Sequence, residues 1–246
     1  VAKWQSDGLV ASWPGGPEGA MVGVPTMGAL IGAQSAGHDV RFDVAVQVLT
    51  RDAAGWSIRA GALCEGPFEA LVVAIPAEQA ASLLGLHDLD MAREAVSARS
   101  QPCWTAMLAY AEPLSGMPDY LSQRGAIAWA ARDASKPGRA GGECWTVQAD
   151  AAWSRANLER EPAEVCADLI ALFEREAGSA LPRPTFAKAH RWRFAMSGGR
   201  GGGPLWNEQL QLGACGDWRM GPRIECAWLS GVALAERIKA SLQIAA

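Results

Sequence analysis

The stretch LQLGACGDWRMGPRIECAWLSGVALAERIKASL, residues Leu210–Leu242, decides how the rest of the chain is interpreted. Its first part alternates apolar and other residues enough to predict a strand buried in a sheet. A Gly-Asp-Trp loop at 216–218 follows and closes at Gly221-Pro222. Apolar residues then recur at helical spacing: Ile224, Ala227, Trp228, Gly231, Leu234, Ala235, Ile238 and Leu242. The stretch therefore predicts a strand, a glycine-aspartate loop and a helix, in that order.

This order of elements has chemical uses. Gly216 lets a backbone approach a ligand closely, and Asp217 can accept hydrogen bonds from a sugar-like polyol. The start of the helix offers free N–H groups and a positive dipole end. The alternative is an ordinary strand-turn-helix in which the Gly-Asp pair only shapes a turn.

Composition limits the classes of protein to consider. Half of the 246 residues are apolar, so the chain can bury a large core. The net charge is slightly negative and no basic run occurs, which argues against a nucleic-acid partner. No apolar run is long enough to cross a membrane, and no signal-peptide pattern opens the sequence. We expect a cytoplasmic protein with a small-molecule substrate.

Cysteine and histidine argue against a disulfide framework and a metal site. The six cysteines lack CxxC spacing and indicate small buried residues in a reducing compartment. Only three histidines are present, so no metal site is predicted. The eleven tryptophans, in contrast, need a core or a flat ligand to cover them.

The final stretch resembles the closing motif of the flavin-containing amine oxidase superfamily, most closely its renalase-like bacterial branch. In that family the Gly-Asp pair lies along the ribityl and phosphate part of FAD. The helix that follows points its N-terminus at the pyrimidine edge of the flavin ring. The resemblance implies that the cofactor-binding residues include Gly216, Asp217, Trp218, Arg223, Ile224 and Glu225.

The region 24–90 resembles the same branch. Pro25-x-Met27 precedes a predicted helix, and valines alternate from Val40 to Val48 as in a strand. The run LVVAIPAEQA, residues 71–80, predicts a buried strand that ends at a proline, followed by a helix. The resemblance implies three further cofactor contacts: Val46 beside the adenine, and Ala74 and Pro76 at the end of the strand.

The region from about 91 to 196 predicts an antiparallel sheet that carries Trp104, Trp129, Trp145 and Trp192, with helices on one face. Its phrases RDASKPGR (132–139) and HRWRFA (190–195) resemble the substrate domain of that branch. Alternation places Trp192 on the face opposite Arg191 and Arg193. Trp192 is the candidate catalytic residue on the substrate side, and a core tryptophan is the alternative.

These features predict an α/β (mixed α+β) fold with two intermixed regions. Residues 24–90 and 204–246 would form an FAD/NAD(P)-binding Rossmann-like domain that is incomplete at its N-terminus. Residues 1–23 and 91–203 would form an antiparallel-sheet substrate domain with helices.

One departure from the family matters. No strand followed by Gly-x-Gly-x-x-Gly occurs in the sequence, although that unit holds the FAD pyrophosphate in this superfamily. The glycine-rich stretch 198–203 precedes Pro204 and predicts a flexible loop near the active site. Val1 therefore looks like an internal residue, and this chain alone is expected to bind FAD weakly or not at all. A missing N-terminal segment or a second copy would cover the open edge of the sheet.

The sequence thus supports two hypotheses. The first is an FAD-dependent oxidoreductase of the amine oxidase or renalase-like type, which transfers a hydride from a small amine or dihydropyridine to flavin N5. No strong acid or base is obligatory for that step, which agrees with the shortage of histidine. The alternative is a truncated flavoprotein or assembly module that no longer binds FAD.

Overall fold

The computed structural model describes residues 1–178, 180–199 and 201–244. The chain divides into two compact units that each use two segments. The first unit contains Val1–Val40 and Pro102–Arg193, and the second contains Arg41–Gln101 and Phe194–Ala246. Both units mix helices with sheets, as the sequence predicts. Which unit serves cofactor and which serves substrate stays a prediction.

The helices and strands have these bounds. The helices are α1 (Ala2–Ser6), α2 (Met27–Ser35), α3 (Ala77–Leu84), α4 (Leu89–Ser97), α5 (Ala151–Ala156), α6 (Pro162–Ala177) and α7 (Ile224–Ile244). The strands are β1 (Val10–Ser12), β2 (Met21–Gly23), β3 (Val48–Asp52), β4 (Gly55–Ala60), β5 (Leu63–Phe68), β6 (Leu71–Val73), β7 (Gln101–Tyr110), β8 (Tyr120–Arg124), β9 (Ile127–Arg132), β10 (Glu143–Ala149), β11 (Phe186–Met196), β12 (Leu205–Asn207) and β13 (Leu212–Ala214). Within the described residues, no helix combines the length and the apolar character that a bilayer crossing requires.

The first unit is built on a five-stranded sheet in the order β11-β7-β10-β9-β8. Strands β7, β10, β9 and β8 pair antiparallel, which confirms the predicted tryptophan sheet. Trp104 and Trp145 are fully buried on one face, in a core that also contains Leu169 and Phe173 of α6. Trp129 lies on the other face and stacks on Tyr120 with ring centroids 5.2 Å apart.

The second unit contains two three-stranded sheets. Strands β3, β4 and β5 form an antiparallel sheet, and the other sheet has the order β12-β13-β6. In the latter, β13 and β6 run parallel, with Leu212 opposite Leu71. The buried indole of Trp56 donates a hydrogen bond to the carbonyl of Leu210 at 2.7 Å. This bond joins the segment that leads into β13 to the antiparallel sheet.

The predicted strand from Val40 to Val48 is wrong over most of its length, because β3 begins only at Val48. Val40, Phe42 and Val44 are exposed, so their alternation matches no buried face. Asp43 has a φ of +57°, which takes the backbone out of the extended conformation. Val46 therefore lies in the loop before β3 and not within a strand.

Helix α7 begins at Ile224 as predicted, but its buried face differs from the predicted one. The buried stripe runs through Ser230 and Leu234, whereas Trp228 and Leu242 are 38% and 42% exposed. A Cβ at Gly213 would lie 3.0 Å from Cδ2 of Leu234, so this glycine lets the helix approach β13 closely. The stripe of α7 that contains Leu234 packs against β13, and the neighbouring apolar stripe with Trp228 and Leu242 stays partly exposed.

Tyr110, at the end of β7, carries a buried polar group without a hydrogen bond in the described chain. Its side chain is buried, and its hydroxyl has no hydrogen-bond partner among the described residues. Burial, together with the charges of Glu174 and Glu143, raises the pKa of Tyr110 to about 12. The neutral phenol is therefore the form that the folded protein holds.

We predict that Tyr110→Phe protects the fold against alkali. An unfolded tyrosine ionises near pH 10, while folded Tyr110 stays neutral up to about pH 12, so stability falls as the pH rises through this window. Between pH 7 and 11, the unfolding free energy of the variant should fall by about 1 kcal/mol less than that of the wild type. Urea unfolding at both pH values measures this. Tyr120→Phe, at the chain's other tyrosine, is the control and should keep the wild-type loss.

Candidate functional site

The candidate site lies where the parallel strands β6 and β13 end. Because they run parallel, both carboxyl ends reach the same edge of the sheet, which is where open α/β sheets bind ligands. The pairing continues one step beyond the strands, since the amide of Cys215 donates to the carbonyl of Val73 at 3.2 Å. The predicted segments Ala74–Pro76 and Gly216–Trp218 therefore leave the sheet side by side.

Gly216 occupies a position that only glycine tolerates. Its φ is +155°, and a Cβ there would lie 2.5 Å from Nε1 of Trp218. Its amide donates to the hydroxyl of Ser230 in α7 at 3.2 Å. The glycine thus turns the chain tightly and ties the loop to the helix.

Trp218 anchors this loop from beneath. Its side chain is only 2% exposed, and its Nε1 donates to the carbonyl of Ile75 at 3.2 Å. The guanidinium of Arg219 lies over the indole, 5.5 Å from the ring centroid, and pairs with Glu94 at 2.7 Å. The indole therefore joins the two strand ends, and its buried ring offers little surface to a ligand.

The backbone of Asp217 is hydrogen-bonded, whereas its carboxylate has no partner among the described residues. Its carbonyl accepts hydrogen bonds from the amides of Met220 at 2.9 Å and Gly221 at 2.6 Å. The side chain is half-buried, and within the part of the chain that the structure describes its carboxylate contacts no donor or cation. This carboxylate is available to accept hydrogen bonds from a ligand.

The start of α7 follows this loop directly. The amide of Arg223 donates to the carbonyl of Gly221 at 2.8 Å, and the amide of Ala227 donates to the carbonyl of Arg223 at 3.1 Å. Arg223 and Ile224 are exposed, and Glu225 is half-buried. The first N–H groups of the helix lack intrahelical partners and carry the positive end of its dipole. The three predicted residues therefore surround an electropositive backbone end.

An apolar cleft of about 790 Å³ lies along β6 in the same unit. Val46 and Ala74, both predicted to contact the cofactor, line it together with Val72 and Ile75. Pro76 lies just beyond the cleft and caps α3, because its carbonyl accepts the amide of Ala80 at 2.9 Å. In the second unit, Val46 and Ala74 line the cleft along β6, while Asp217 and the start of α7 follow β13, the strand that pairs with β6.

Trp192 belongs to the first unit and lies on the open face of β11. It is 53% exposed, and its ring meets that of His190 edge-on at a centroid distance of 4.4 Å. On the opposite face, Arg191 donates to the carbonyl of Leu158 at 2.6 Å and Arg193 pairs with Glu159 at 2.7 Å. The predicted alternation along this strand is therefore present, and the exposed indole offers a flat surface.

The glycine-rich stretch packs tightly against backbone where it is described. A Cβ at Gly198 would collide with the carbonyl of Ala98, and a Cβ at Gly199 would lie 3.0 Å from the amide of Gly221. The amide of Gly202 also donates to the carbonyl of Arg219 at 2.7 Å. Arg200 lies outside the described residues. These glycines allow close backbone contacts around the Asp217 loop, and they open no helix.

Sequence reasoning missed the contacts that hold the site in place. Ser230, Glu94 and the carbonyl of Ile75 fix the loop through its backbone and through Trp218 and Arg219. Ser230 stands in the stretch that resembles the family motif, but the sequence does not show that its hydroxyl accepts the amide of Gly216. A backbone carbonyl gives no signal in a sequence.

No family model matches the chain. Solved oxidase and oxidoreductase structures match its fold. A protein from Exiguobacterium sp. 255-15, provisionally named protoporphyrinogen oxidase, has a TM-score of 0.66 and 13% identity over 93% of this chain and 54% of its own. Cyclohexylamine oxidase from Brevibacterium oxydans IH-35A has a TM-score of 0.59 and 13% identity over 82% and 49%. An oxidoreductase from Methanosarcina mazei has a TM-score of 0.60 and 16% identity over 85% and 53%.

At these identities the likeness shows the fold alone. The chain spans about half the length of the solved structures that it matches. It shares its mixed helix and sheet architecture with part of each of these structures, as the sequence resemblance implies.

We predict that Gly216→Ala lowers the free energy of unfolding by roughly 1–3 kcal/mol, because it strains the backbone and pushes a methyl group into Trp218. Gly231→Ala is the control, since that glycine lies in α7 with open space around its Cβ position. The control should stabilise the protein by roughly 0.5–1 kcal/mol. Urea unfolding measures both changes, and equal effects of the two substitutions would contradict the assigned role of Gly216.

Proposed function

We propose that this chain forms part of an FAD-dependent oxidoreductase of the amine oxidase type, related to the renalase-like branch. The proposed reaction moves a hydride from a small amine or dihydropyridine to flavin N5. The observation that carries the proposal is the meeting of Ala74–Pro76, the free carboxylate of Asp217 and the start of α7 in one unit. The fold match to solved oxidases supports it.

The residues present fit one part of the cofactor. The carboxylate of Asp217 would accept hydrogen bonds from ribityl hydroxyl groups, and the first N–H groups of α7 would face the pyrimidine edge of the ring. Val46 would lie beside the adenine, and Ala74 would lie beside the cofactor at the end of β6, both lining the cleft. The described part of this chain has no Gly-x-Gly-x-x-Gly turn to hold a pyrophosphate. The chain therefore fits the ring and ribityl parts of FAD better than its pyrophosphate.

When bound, the flavin would supply the hydride acceptance itself. The contribution of the chain is electrostatic and steric. The N–H groups and dipole of α7 would stabilise negative charge at the ring edge, and Gly216 would fix their distance from Asp217. The flat, exposed ring of Trp192 would orient the substrate and exclude water.

An assembly module that no longer binds FAD is the second candidate. Exposed apolar side chains favour it, since Val72 in β6, Ile75 just after β6 and Trp228 on α7 are each more than a third exposed. In the described sheet β6 pairs only with β13, so its other edge is open to another strand. A second copy or a separate segment would cover these surfaces.

Riboflavin separates the two candidates, because it contains the ring and ribityl chain but no pyrophosphate. We predict that the chain quenches riboflavin fluorescence on titration, and that FAD binds no more tightly than riboflavin. Asp217→Ala should weaken riboflavin binding roughly tenfold or more, since a charged acceptor is lost. Asp90→Ala is the matched control because Asp90 is an exposed carboxylate of α4 whose ion-pair partner within the described residues is Arg93.

An absence of riboflavin binding by the folded chain would favour the assembly module. Equal weakening by both aspartate substitutions would show that Asp217 has no special role in holding the ribityl chain.

A second prediction concerns Trp192. Trp192→Leu should lower kcat/KM for amine or dihydropyridine oxidation roughly tenfold in flavin-loaded enzyme, through loss of a flat contact surface. The free energy of unfolding should change by less than about 1 kcal/mol, because the side chain is half exposed. Trp104→Leu, at a fully buried indole, should instead lose roughly 3 kcal/mol of stability. Unchanged turnover in Trp192→Leu would place this indole outside the substrate site.

A further inference from the structure

The segment RDASKPGR, residues 132–139, joins β9 to β10 in the first unit and has no part in the function proposed above. Lys136 Nζ and Arg139 Nε lie 3.1 and 3.4 Å from the same oxygen, Oδ1 of Asp133. The two cationic side chains are only 17% and 10% exposed, while Asp133 is 41% exposed. Two largely buried cations therefore share one carboxylate.

The nearby carboxylates do not restore the balance of charge. Asp119 and Glu143 both pair with Arg132, and Glu143 also accepts hydrogen bonds from the indole of Trp145 and the amide of Leu114. Among residues 1–178, 180–199 and 201–244, no carboxylate other than Asp133 forms an ion pair with Lys136 or Arg139. A net positive charge held largely out of water is costly unless an anion meets it.

Packing fixes the positions of both cations. Arg139 Nη1 donates to the carbonyl of Gly23 at 3.1 Å. Gly138 has a φ of +72°, and a Cβ there would lie 2.9 Å from Cγ1 of Val24, so the chain can pass Val24 closely only with glycine. The ammonium of Lys136 lies 5.7 Å from the ring centroid of Trp13.

The turn before Lys136 is fixed as well. The indole N–H of Trp13 donates to Ser135 Oγ at 3.0 Å, and that hydroxyl donates in turn to the carbonyl of Arg132. Both cations are therefore placed before any ligand arrives, which lowers the entropy cost of binding.

Both cations also keep unused donors. An ammonium has three N–H groups, of which Asp133 takes one, and a guanidinium has five, of which the carbonyl of Gly23 takes one. Donors of this kind bind the oxygens of phosphates and carboxylates, and arginine does so with planar, paired geometry. We propose that Lys136 and Arg139 form an oxyanion-binding site that takes a phosphate or carboxylate group of a small-molecule ligand.

The test uses this chain without flavin, so its result does not depend on the function proposed above. Isothermal titration calorimetry at low ionic strength, with pyrophosphate and with malonate, should show one site. Tighter binding of pyrophosphate would identify a phosphate ligand, and tighter binding of malonate would identify a carboxylate. Lys136→Met and Arg139→Met should each weaken binding roughly tenfold or more. Lys136→Arg should keep most of the affinity.

Lys3→Met is the control, because Lys3 is an exposed cation on α1 of the same unit and the substitution changes net charge equally. Its affinity should match that of the wild type. Pyrophosphate should also raise the urea midpoint of the wild-type protein but not that of the two methionine variants. Circular dichroism checks that each variant is folded.

If the methionine variants fail to fold, Asp133→Asn provides the decisive measurement. This substitution keeps both cations and removes the carboxylate that competes for them, so anion affinity should rise several-fold. Three results would overturn the proposal. In the first, the wild-type protein binds neither anion at millimolar concentration. In the second, Lys3→Met weakens anion binding as much as the two site variants do. In the third, Asp133→Asn binds the anions more weakly than the wild type.

Discussion

The hydrogen bond from the buried indole of Trp218 to the carbonyl of Ile75 is the contact on which the candidate site depends. Strands β6 and β13 come from distant parts of the chain, and their short parallel ladder ends at Val73 and Ala214. Beyond that point the backbone ladder holds the strand ends together only through Cys215. The indole spans the gap, and burial makes this bond hard to break, since an unpaired N–H there would lose its partner without gaining water.

The other features of the loop follow from the position of that ring. Because the indole lies directly beside Gly216, a side chain at residue 216 has no room, and the backbone must turn with a positive φ. The turn points the amide of Gly216 at Ser230, which places α7 against β13. Arg219 covers the ring and reaches Glu94, so α4 is tied to the same loop. One aromatic ring thus sets the distance between the carboxylate of Asp217 and the start of α7.

The sequence predicted those parts of this arrangement that depend on local chemistry. Glycine followed by aspartate, a Gly-Pro closure and a helical apolar period led to the observed order of β13, loop and α7. The five-stranded sheet followed from apolar runs bounded by turns. The predictions were wrong where the neighbouring elements of the fold do not match the sequence pattern. Alternating valines from Val40 predicted a strand, but no neighbouring strand pairs with them before Val48. The buried face of α7 was misjudged because a glycine in β13 and a serine in the helix decide which stripe touches the sheet.

The hydrogen bonds and ion pairs of the carboxylates in this molecule show which of them have a structural role. Glu143 accepts three hydrogen bonds, Asp88 caps α4 and binds Asn207, and Glu159 pairs with two arginines, so these carboxylates have structural work that fully accounts for them. The carboxylate of Asp217 has no such partner in the described chain, although its backbone is rigidly held. Holding a half-buried carboxylate in place without a partner adds nothing to stability, so the fold gains from it only if a ligand completes the contact. An exposed, mobile aspartate would not indicate a ligand. Asp217 does, because its backbone is fixed while no described donor or cation contacts its carboxylate.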